Sequence, residues 1–450
     1  MELKSIHNVY FIGIGGIGMS ALARYFHHIG KHVAGYDKTK TPLTQELESL
    51  GLAIHYQDEL NDVPQAFKEL NTTLVVYTPA VPNNHSELRY FMGQGFTVKK
   101  RSEVLGLITK DTFAFALAGT HGKTTTSCIL AHLLKASSGS FTAFLGGISE
   151  DFNSNFVFEG NQYSVVEADE FDRSFLRLYP NIACVTSMDA DHLDIYGTAA
   201  DLTQAFEEFA GKIAADGKLL VRKGIPLEGI TYGIEEDADY RIKDITIKQG
   251  SYVFDIEGPF GTIKDVVFNK PGRHNLLNAL AAFAMAVEAG FKTDLLVKGL
   301  KTFKGVRRRF SYQLKEHDFI FIDDYAHHPT EINAVYDAVT EMHPDRVKMV
   351  IFQPHLFSRT KDFVDGFAQS LAKFDAVLLL DIYPAREEPI PGVTSRWLLD
   401  KIDNPRKKLI NKSEIIDEIS TAKPNLLITL GAGDIGLEVP KIKKALAYAS

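Results

Sequence analysis

Eight residues, Gly119-Thr-His-Gly-Lys-Thr-Thr-Thr126, hold most of what a chain needs to grip a polyphosphate. Glycines let backbone N–H groups turn toward an anion, a lysine can neutralise phosphate oxygens, and a threonine hydroxyl can ligate Mg²⁺. Here those roles fall to Gly119, Gly122, Lys123 and Thr124, with Thr120, His121 and Thr125 completing the loop. The spacing departs from G-x-x-x-x-G-K-[ST], since only Thr120 and His121 separate the two glycines. The apolar run from Thr112 to Leu117 predicts a buried strand, and Ser127 to Leu134 has helical spacing. The loop therefore sits at a strand-to-helix junction, the context this chemistry requires. A strand–turn–helix that binds no phosphate is the plainer alternative.

A second glycine turn lies near the N-terminus. Gly13, Gly15, Gly16 and Gly18 follow an apolar strand from Val9 to Ile14 and precede a helix through Ala21, Leu22, Tyr25 and Phe26. With His32 to Tyr36 as the next strand and Asp37 at its end, this is a βαβ unit with G-x-G-x-x-G in place. Alone it fits a nicotinamide or flavin dinucleotide. The same geometry serves any diphosphate on a helix N-terminus. Strands at Ala53–His55 and Leu74–Tyr77 extend an open sheet, and the turn from Thr78 lies at a strand's C-terminal end, where such sheets bind ligands. Lys99, Lys100 and Arg101 read equally as solvated surface or as a phosphate contact.

Acids gather at two further strand ends. Tyr163–Val166 leads into Glu167-Ala-Asp-Glu170-Phe-Asp172, and four acids in six residues repel one another unless a cation is present. Glu167 is the candidate Mg²⁺ ligand, beside the phosphate loop. Asn181–Ser187 leads into Asp189-Ala-Asp191-His192-Leu-Asp194, where His192 could hold a second Mg²⁺. Two metals would suit a nucleotide and a second anionic substrate. Asn275 and Asn278, at the start of an Ala-rich helix, are either caps or readers of an adenine edge.

The elements that must position these groups alternate strand and helix, which predicts α/β architecture in three regions, 1–108, 109–307 and 308–450. Residues 229–270 instead alternate apolar and polar, with turns at Gln249-Gly250 and Glu257-Gly258, which predicts a small antiparallel insertion in the central region. Val306-Arg307-Arg308-Arg309-Phe310, at the junction of the second and third regions, is a solvated linker or an arginine clamp. The third region's strands end in Asp323-Asp324-Tyr325-Ala-His327-His328, Gln353-Pro-His355-Leu-Phe-Ser-Arg359, Asp381 and Gly431-Ala-Gly433-Asp434, all on one rim of a sheet. A net charge of −8 argues against nucleic acid as a partner. No segment reaches the ~18 apolar residues of a membrane span. Two cysteines, Cys128 and Cys184, give no disulfide framework, and a cytoplasmic protein is expected. There is no G-x-S-x-G elbow and no cysteine-based zinc spacing.

Taken in order, these segments resemble the Mur ligases of peptidoglycan synthesis along essentially the whole chain. Gly13–Ala23, Gly119–Thr126, Glu167–Glu170, Asp191–Asp194, His274–Asn278, Arg308–Phe310, Asp324–Glu331 and Gln353–His355 carry the likeness. The resemblance implies a Rossmann-like UDP-binding domain, a P-loop ATPase-like central domain and a Rossmann-like C-terminal domain. It is nearest to members that join L-alanine to UDP-N-acetylmuramate at the expense of ATP, with two Mg²⁺ ions, as a monomer or homodimer. It implies that the first glycine loop, with Thr78 and Arg101, holds the UDP-sugar. Lys123 and Thr124 would bind ATP phosphate and Mg²⁺, Glu167 and His192 would ligate metal, and Asn275 and Asn278 would face adenine. Arg309 and Asp324 would hold ATP from the third domain, and Lys123, His192, Arg309 and Asp324 form the implied catalytic set. Tyr325, His327, His355 and Arg359 would contact the muramate and incoming amino acid. Leu356 departs from an arginine common in the family, and Glu207 stands where relatives carry a carbamylated lysine. A ligase that recycles tripeptide onto UDP-N-acetylmuramate, a dinucleotide-dependent oxidoreductase and a non-catalytic nucleotide switch are the rival readings.

Overall fold

The computed structural model describes residues 5–189, 196, 198–385 and 387–447. They form three α/β sheets in two compact units. One unit comprises Met1–Ile245, Val253–Phe268 and Leu277–Lys304; the other comprises Thr246–Tyr252, Asn269–Leu276 and Gly305–Ser450.

The first sheet has five parallel strands in the order Ala53–His55, His32–Tyr36, Asn8–Ile12, Thr73–Tyr77, Thr97–Lys100. Asn8–Ile12 is central and buried on both faces, so its sequence is apolar without alternation. The strand order reverses beside it, which puts the Gly13 turn at a topological switch point. The helix Ile17–His28 follows that turn.

The second sheet has ten strands. Phe113–Ala118 lies at its heart, between Ile182–Val185 and Tyr163–Glu167, and all three run parallel. The alternating segment is no isolated appendage. Ile230–Ile234 pairs in parallel with Lys218–Arg222, and Tyr240–Ile242 continues from it in parallel. Only then do Tyr240–Lys248, Ser251–Gly258 and Gly261–Phe268 fold through two-residue turns, which impose antiparallel pairing. Period-2 patterning reveals strands but not the edge to which they attach.

The first two sheets share one hydrophobic core, running from Ile6, Phe11 and Phe26 to Phe144, Phe175, Phe206 and Val221. Tyr25 packs against Phe144 at 5.5 Å between ring centres. Asn155, fully buried, donates through Nδ2 to the Ile17 carbonyl (2.6 Å) and to Ser20 Oγ (2.8 Å). The hairpin of the second sheet thus holds the helix that begins at the first glycine turn.

The second unit's sheet orders Ser311–Lys315, Ile320–Asp324, Leu426–Leu430, Lys348–Phe352, Ala376–Leu379, Lys407–Leu409. Ser311–Lys315 is antiparallel; the rest are parallel. Helices such as Pro329–Met342 and Val364–Ala372 cover it.

The first sheet also buries a polar cluster. Tyr10 Oη donates to Glu87 Oε2 at 2.8 Å, and His55 Nε2 lies 3.3 Å from Glu87 Oε1. Burial, reinforced by Asp58 and Asp62 against the Tyr10 hydrogen bond, pushes the Glu87 carboxyl up from 4.5 to about 8. Its folded pKa exceeds its unfolded one, so the folded state binds the extra proton and stability falls as pH rises from about 4.5 to about 8. Glu87→Gln keeps an acceptor for Tyr10 and removes the titration. Thermal melts of both proteins across that window should show the variant gaining stability over the parent as pH rises; parallel curves would contradict the assignment.

Candidate active site

The phosphate loop, Glu167 and Asp37 stand at or just after the C-terminal ends of parallel strands of the first unit. Phe113–Ala118 ends at Gly119, whose φ is 126°. A Cβ there would lie 2.3 Å from Thr186 Oγ1 and 2.8 Å from the Ser187 nitrogen, so only glycine fits. Ser187 braces the loop: its carbonyl accepts from the Thr120 N–H (3.3 Å) and its Oγ from the His121 N–H (2.8 Å). His121 Nε2 is 3.4 Å from Asp189. Gly122 (φ 89°) then starts the helix Lys123–Ala136, whose Thr125 is buried.

Lys123 Nζ donates to the Gly119 carbonyl and to Glu170 Oε2, both at 2.6 Å. Burial works against its charge, but Glu170, Asp169 and Glu167 outweigh it and hold the ammonium above its ordinary pKa. Glu167 gathers three donors: Thr124 Oγ1 (3.1 Å), Ser127 Oγ (3.1 Å) and the Gly146 N–H (2.6 Å). Burial pushes the Glu167 carboxyl up, against Gly146, Lys123 and Ser127. Asn278 reaches the same loop. Its Oδ1 accepts from Thr126 Oγ1 at 3.2 Å and would lie 2.6 Å from a Cβ on Gly122.

Two hard oxygens, the Thr124 hydroxyl and the Glu167 carboxylate, therefore stand together, which suits Mg²⁺. Among the described residues no group of three or more His, Cys, Asp and Glu is placed to hold a metal ion. His192, with Asp191 and Asp194, lies outside the described residues. Glu207, on the helix Ala199–Ala210, is exposed.

Around the first glycine loop, Asp37 Oδ2 accepts from the Gly15 N–H at 2.7 Å, and its other oxygen accepts from the Thr39 N–H at 3.1 Å. The carboxylate that would meet a dinucleotide's ribose is thus engaged in bracing the turn. Gly16 caps the helix Ile17–His28. Gly18 lies under Arg101: a Cβ on it would sit 2.9 Å from the guanidinium Nη1. A Cβ on Gly13 (φ 88°) would sit 2.9 Å from Thr78 Cγ2. The loop, Thr78 and Arg101, far apart in sequence, come together.

In the second unit the arginine run is a structured turn. Arg308 donates to Asp323 Oδ2 (3.3 Å) and to the Gly431 carbonyl (2.6 Å). Arg309 Nη1 lies 3.8 Å from Glu331 Oε1, and both guanidinium groups stand 5.1 Å from the Tyr325 ring centre. Asp324 accepts the Phe310 N–H (2.6 Å) and the Ala326 N–H (2.7 Å); burial, opposed by Arg309, pushes its carboxyl up to about 6. His327 Nδ1 is 3.0 Å from the Tyr325 carbonyl and 3.2 Å from Glu331 Oε2. The His355 ring packs edge-on to His327 (6.0 Å), and Arg359 Nη1 lies 3.4 Å from His355 Nδ1. Asn275 is buried and donates to the Pro271 carbonyl at 2.6 Å. Two participants have no role assigned by sequence. Glu170 could have been sought as the acid nearest the lysine, and Glu331 as the acid in the first turn of a helix that starts on Pro329.

Comparison with known proteins finds three family matches along the chain. Residues 8–112 match the Mur ligase family, catalytic domain; 117–286 match the Mur ligase middle domain; 308–440 match the Mur ligase, glutamate ligase domain. The chain is 57% identical to a UDP-N-acetylmuramate–L-alanine ligase of Flavobacterium johnsoniae over 446 residues, 99% of each chain. Among solved structures, UDP-N-acetylmuramate-alanine ligase from Thermotoga maritima superposes with a TM-score of 0.82 at 28% identity, over 98% of this chain and 100% of that one. A murein peptide ligase from Psychrobacter arcticus shares the fold with a TM-score of 0.68 at 23% identity, over 98% of each chain. Matched in all three of its α/β regions and from end to end, the chain belongs to the Mur ligase family.

Proposed function

We propose that this chain is an ATP-dependent ligase that joins L-alanine to the carboxylate of UDP-N-acetylmuramate in peptidoglycan precursor synthesis. The observation that carries the reading is its end-to-end likeness to ligases named for that reaction. The rivals fit less well. Asp37 is engaged by its own turn, and an oxidoreductase has no use for the Lys123 loop. Among the described residues no helix is long and apolar enough to cross a membrane, and we place the enzyme in the cytoplasm.

The chemistry divides between the two sets of residues. The muramate carboxylate attacks the γ-phosphorus of ATP, ADP leaves, and an acyl phosphate forms. Repulsion between two anions opposes this step, and fixed positive charge lowers that barrier. Lys123 supplies it from the phosphate loop, where phosphate oxygens compete with Glu170 and the Gly119 carbonyl for one ammonium. Gly119 to Thr125 cradle the phosphates, with Asn275 and Asn278 toward adenine. Arg309 and Asp324 are assigned to ATP as well. Thr124, Glu167 and His192 would hold two Mg²⁺ ions, which supply charge neutralisation at the phosphates. Gly13, Gly15, Gly16, Gly18, Thr78 and Arg101 grip the UDP moiety. The amine of L-alanine then attacks the acyl carbon and phosphate departs; Tyr325, His327, His355 and Arg359 receive the amino acid and the muramate. Acyl phosphates hydrolyse, so the site must exclude water during this step.

Purified protein should release ADP in sustained turnover only when ATP, UDP-N-acetylmuramate and L-alanine are all present; equal release without L-alanine, or with tripeptide alone, would overturn the reading. Lys123→Ala should lower ligation by at least about 100-fold while UDP-N-acetylmuramate still binds, measured by calorimetry on protein whose melting curve confirms folding. Asp324→Asn puts an amide donor opposite one of the two backbone N–H groups that the carboxylate accepts, and should cost about 1–3 kcal/mol of stability, read from denaturant unfolding.

A further inference from the structure

The Glu331–His327 pair sets a polarity that the ligase reading leaves open. His327 Nδ1 faces two oxygens, the Tyr325 carbonyl at 3.0 Å and Glu331 Oε2 at 3.2 Å. A carbonyl and a carboxylate oxygen can only accept, so Nδ1 must carry a proton. The same Oε2 accepts the His327 backbone N–H at 2.9 Å, which fixes ring and main chain together. Glu331 Oε1 in turn lies 3.8 Å from Arg309.

The charged and titratable groups around the ring are Glu331, Arg309, Arg359, His355 and Tyr325. Burial lowers the His327 pKa to about 4, against Glu331 and with Arg359 and Arg309, so the ring is neutral at pH 7. A neutral ring protonated on Nδ1 has a lone pair on Nε2. No described residue hydrogen-bonds to that atom. An Nε2 lone pair repels carboxylate and phosphate oxygens and accepts an N–H. In the proposed reaction only the amino acid brings a cationic N–H donor.

We infer that Glu331 and the Tyr325 carbonyl lock His327 in its Nδ1–H tautomer, so that Nε2 accepts a hydrogen bond from the ammonium group of the incoming amino acid. This rests on the ligase reading and assigns His327 to the amino end of that substrate. Glu331 is a positioning residue; it acts through His327. The ring orients the nitrogen and does not keep its proton. Across ligation, acyl phosphate and ammonium give amide and hydrogen phosphate, and one proton passes to solvent.

The test uses full-length protein with ¹⁵N-labelled histidine rings, the His327 signals being assigned by their loss in His327→Asn. Long-range ¹H–¹⁵N spectra at pH 7 should show Nδ1 protonated and Nε2 bare. Saturating L-alanine should shift the Nε2 signal, whereas propionate, which lacks the ammonium, should not. Glu331→Gln, whose amide can donate to Nδ1, should populate the Nε2–H form. It should also raise KM for L-alanine by about tenfold or more and leave KM for UDP-N-acetylmuramate within about twofold, with Glu331→Asp recovering part of the loss. A protonated Nε2 in the parent protein, equal shifts with L-alanine and propionate, or an unchanged KM for L-alanine would overturn the proposal. The spectra need no turnover, so absence of three-substrate ligation would count against the ligase reading alone.

Discussion

One carboxylate ties the phosphate loop to its sheet. Glu167 ends the strand next to the loop and accepts from Thr124 and Ser127 on the helix and from Gly146 on the neighbouring strand. Three donors hold the negative charge in a site where water is scarce, and an unpaired buried carboxylate would be far more costly. Gly146 has no alternative, since a Cβ there would lie 2.2 Å from Glu167 Oε2. Through these contacts one group joins the start of the helix to two strands of the sheet.

The second unit solves the same problem with backbone. Asp324 ends a central strand and is satisfied by the N–H groups of Phe310 and Ala326, with Arg309 nearby. Its neighbour Asp323 takes Arg308 and the Thr429 hydroxyl. Two adjacent acids on one strand point to opposite sides and each finds a separate partner. The arginine run is therefore a structured turn, with Arg308 (φ 60°) and Phe310 (φ 47°) in the left-handed region. Tyr325 fills the space beneath both guanidinium groups and keeps their positive charge near the strand ends.

Much of this was legible in the sequence because it is local. Strand–glycine–helix junctions depend on residues a few places apart, and the acids at strand tips are adjacent to the apolar runs that place them. The predicted strands at His32–Tyr36, Ala53–His55, Lys348–Phe352 and Leu426–Leu430 stand where the apolar runs put them. What could not be read is pairing at a distance. Glu170 meets Lys123 across 47 positions, and Tyr10 meets Glu87 across 77. Nothing in the pattern around Ser311–Lys315 or Lys407–Leu409 is apolar enough to mark an edge strand, because an edge need bury only part of one face. Leu356 illustrates a third kind of silence. It sits at φ 73°, where a side chain is strained, held by its N–H to the Tyr383 carbonyl (2.9 Å) and by Thr360 Oγ1 donating to its own carbonyl (2.7 Å). No sequence pattern announces a leucine in that conformation.

The continuous core beneath the first two sheets bears on how such a chain can be inherited. Phe144, Phe156 and Asn155 belong to the second sheet, yet their partners Tyr25, Ile17 and Ser20 belong to the helix that follows the central strand of the first. A substitution on either side must satisfy both. The N-terminal sheet is therefore not a portable module: grafted onto another ligase's central region it would expose one wall of its core, and natural exchange between lineages is expected to carry the two sheets as a single block.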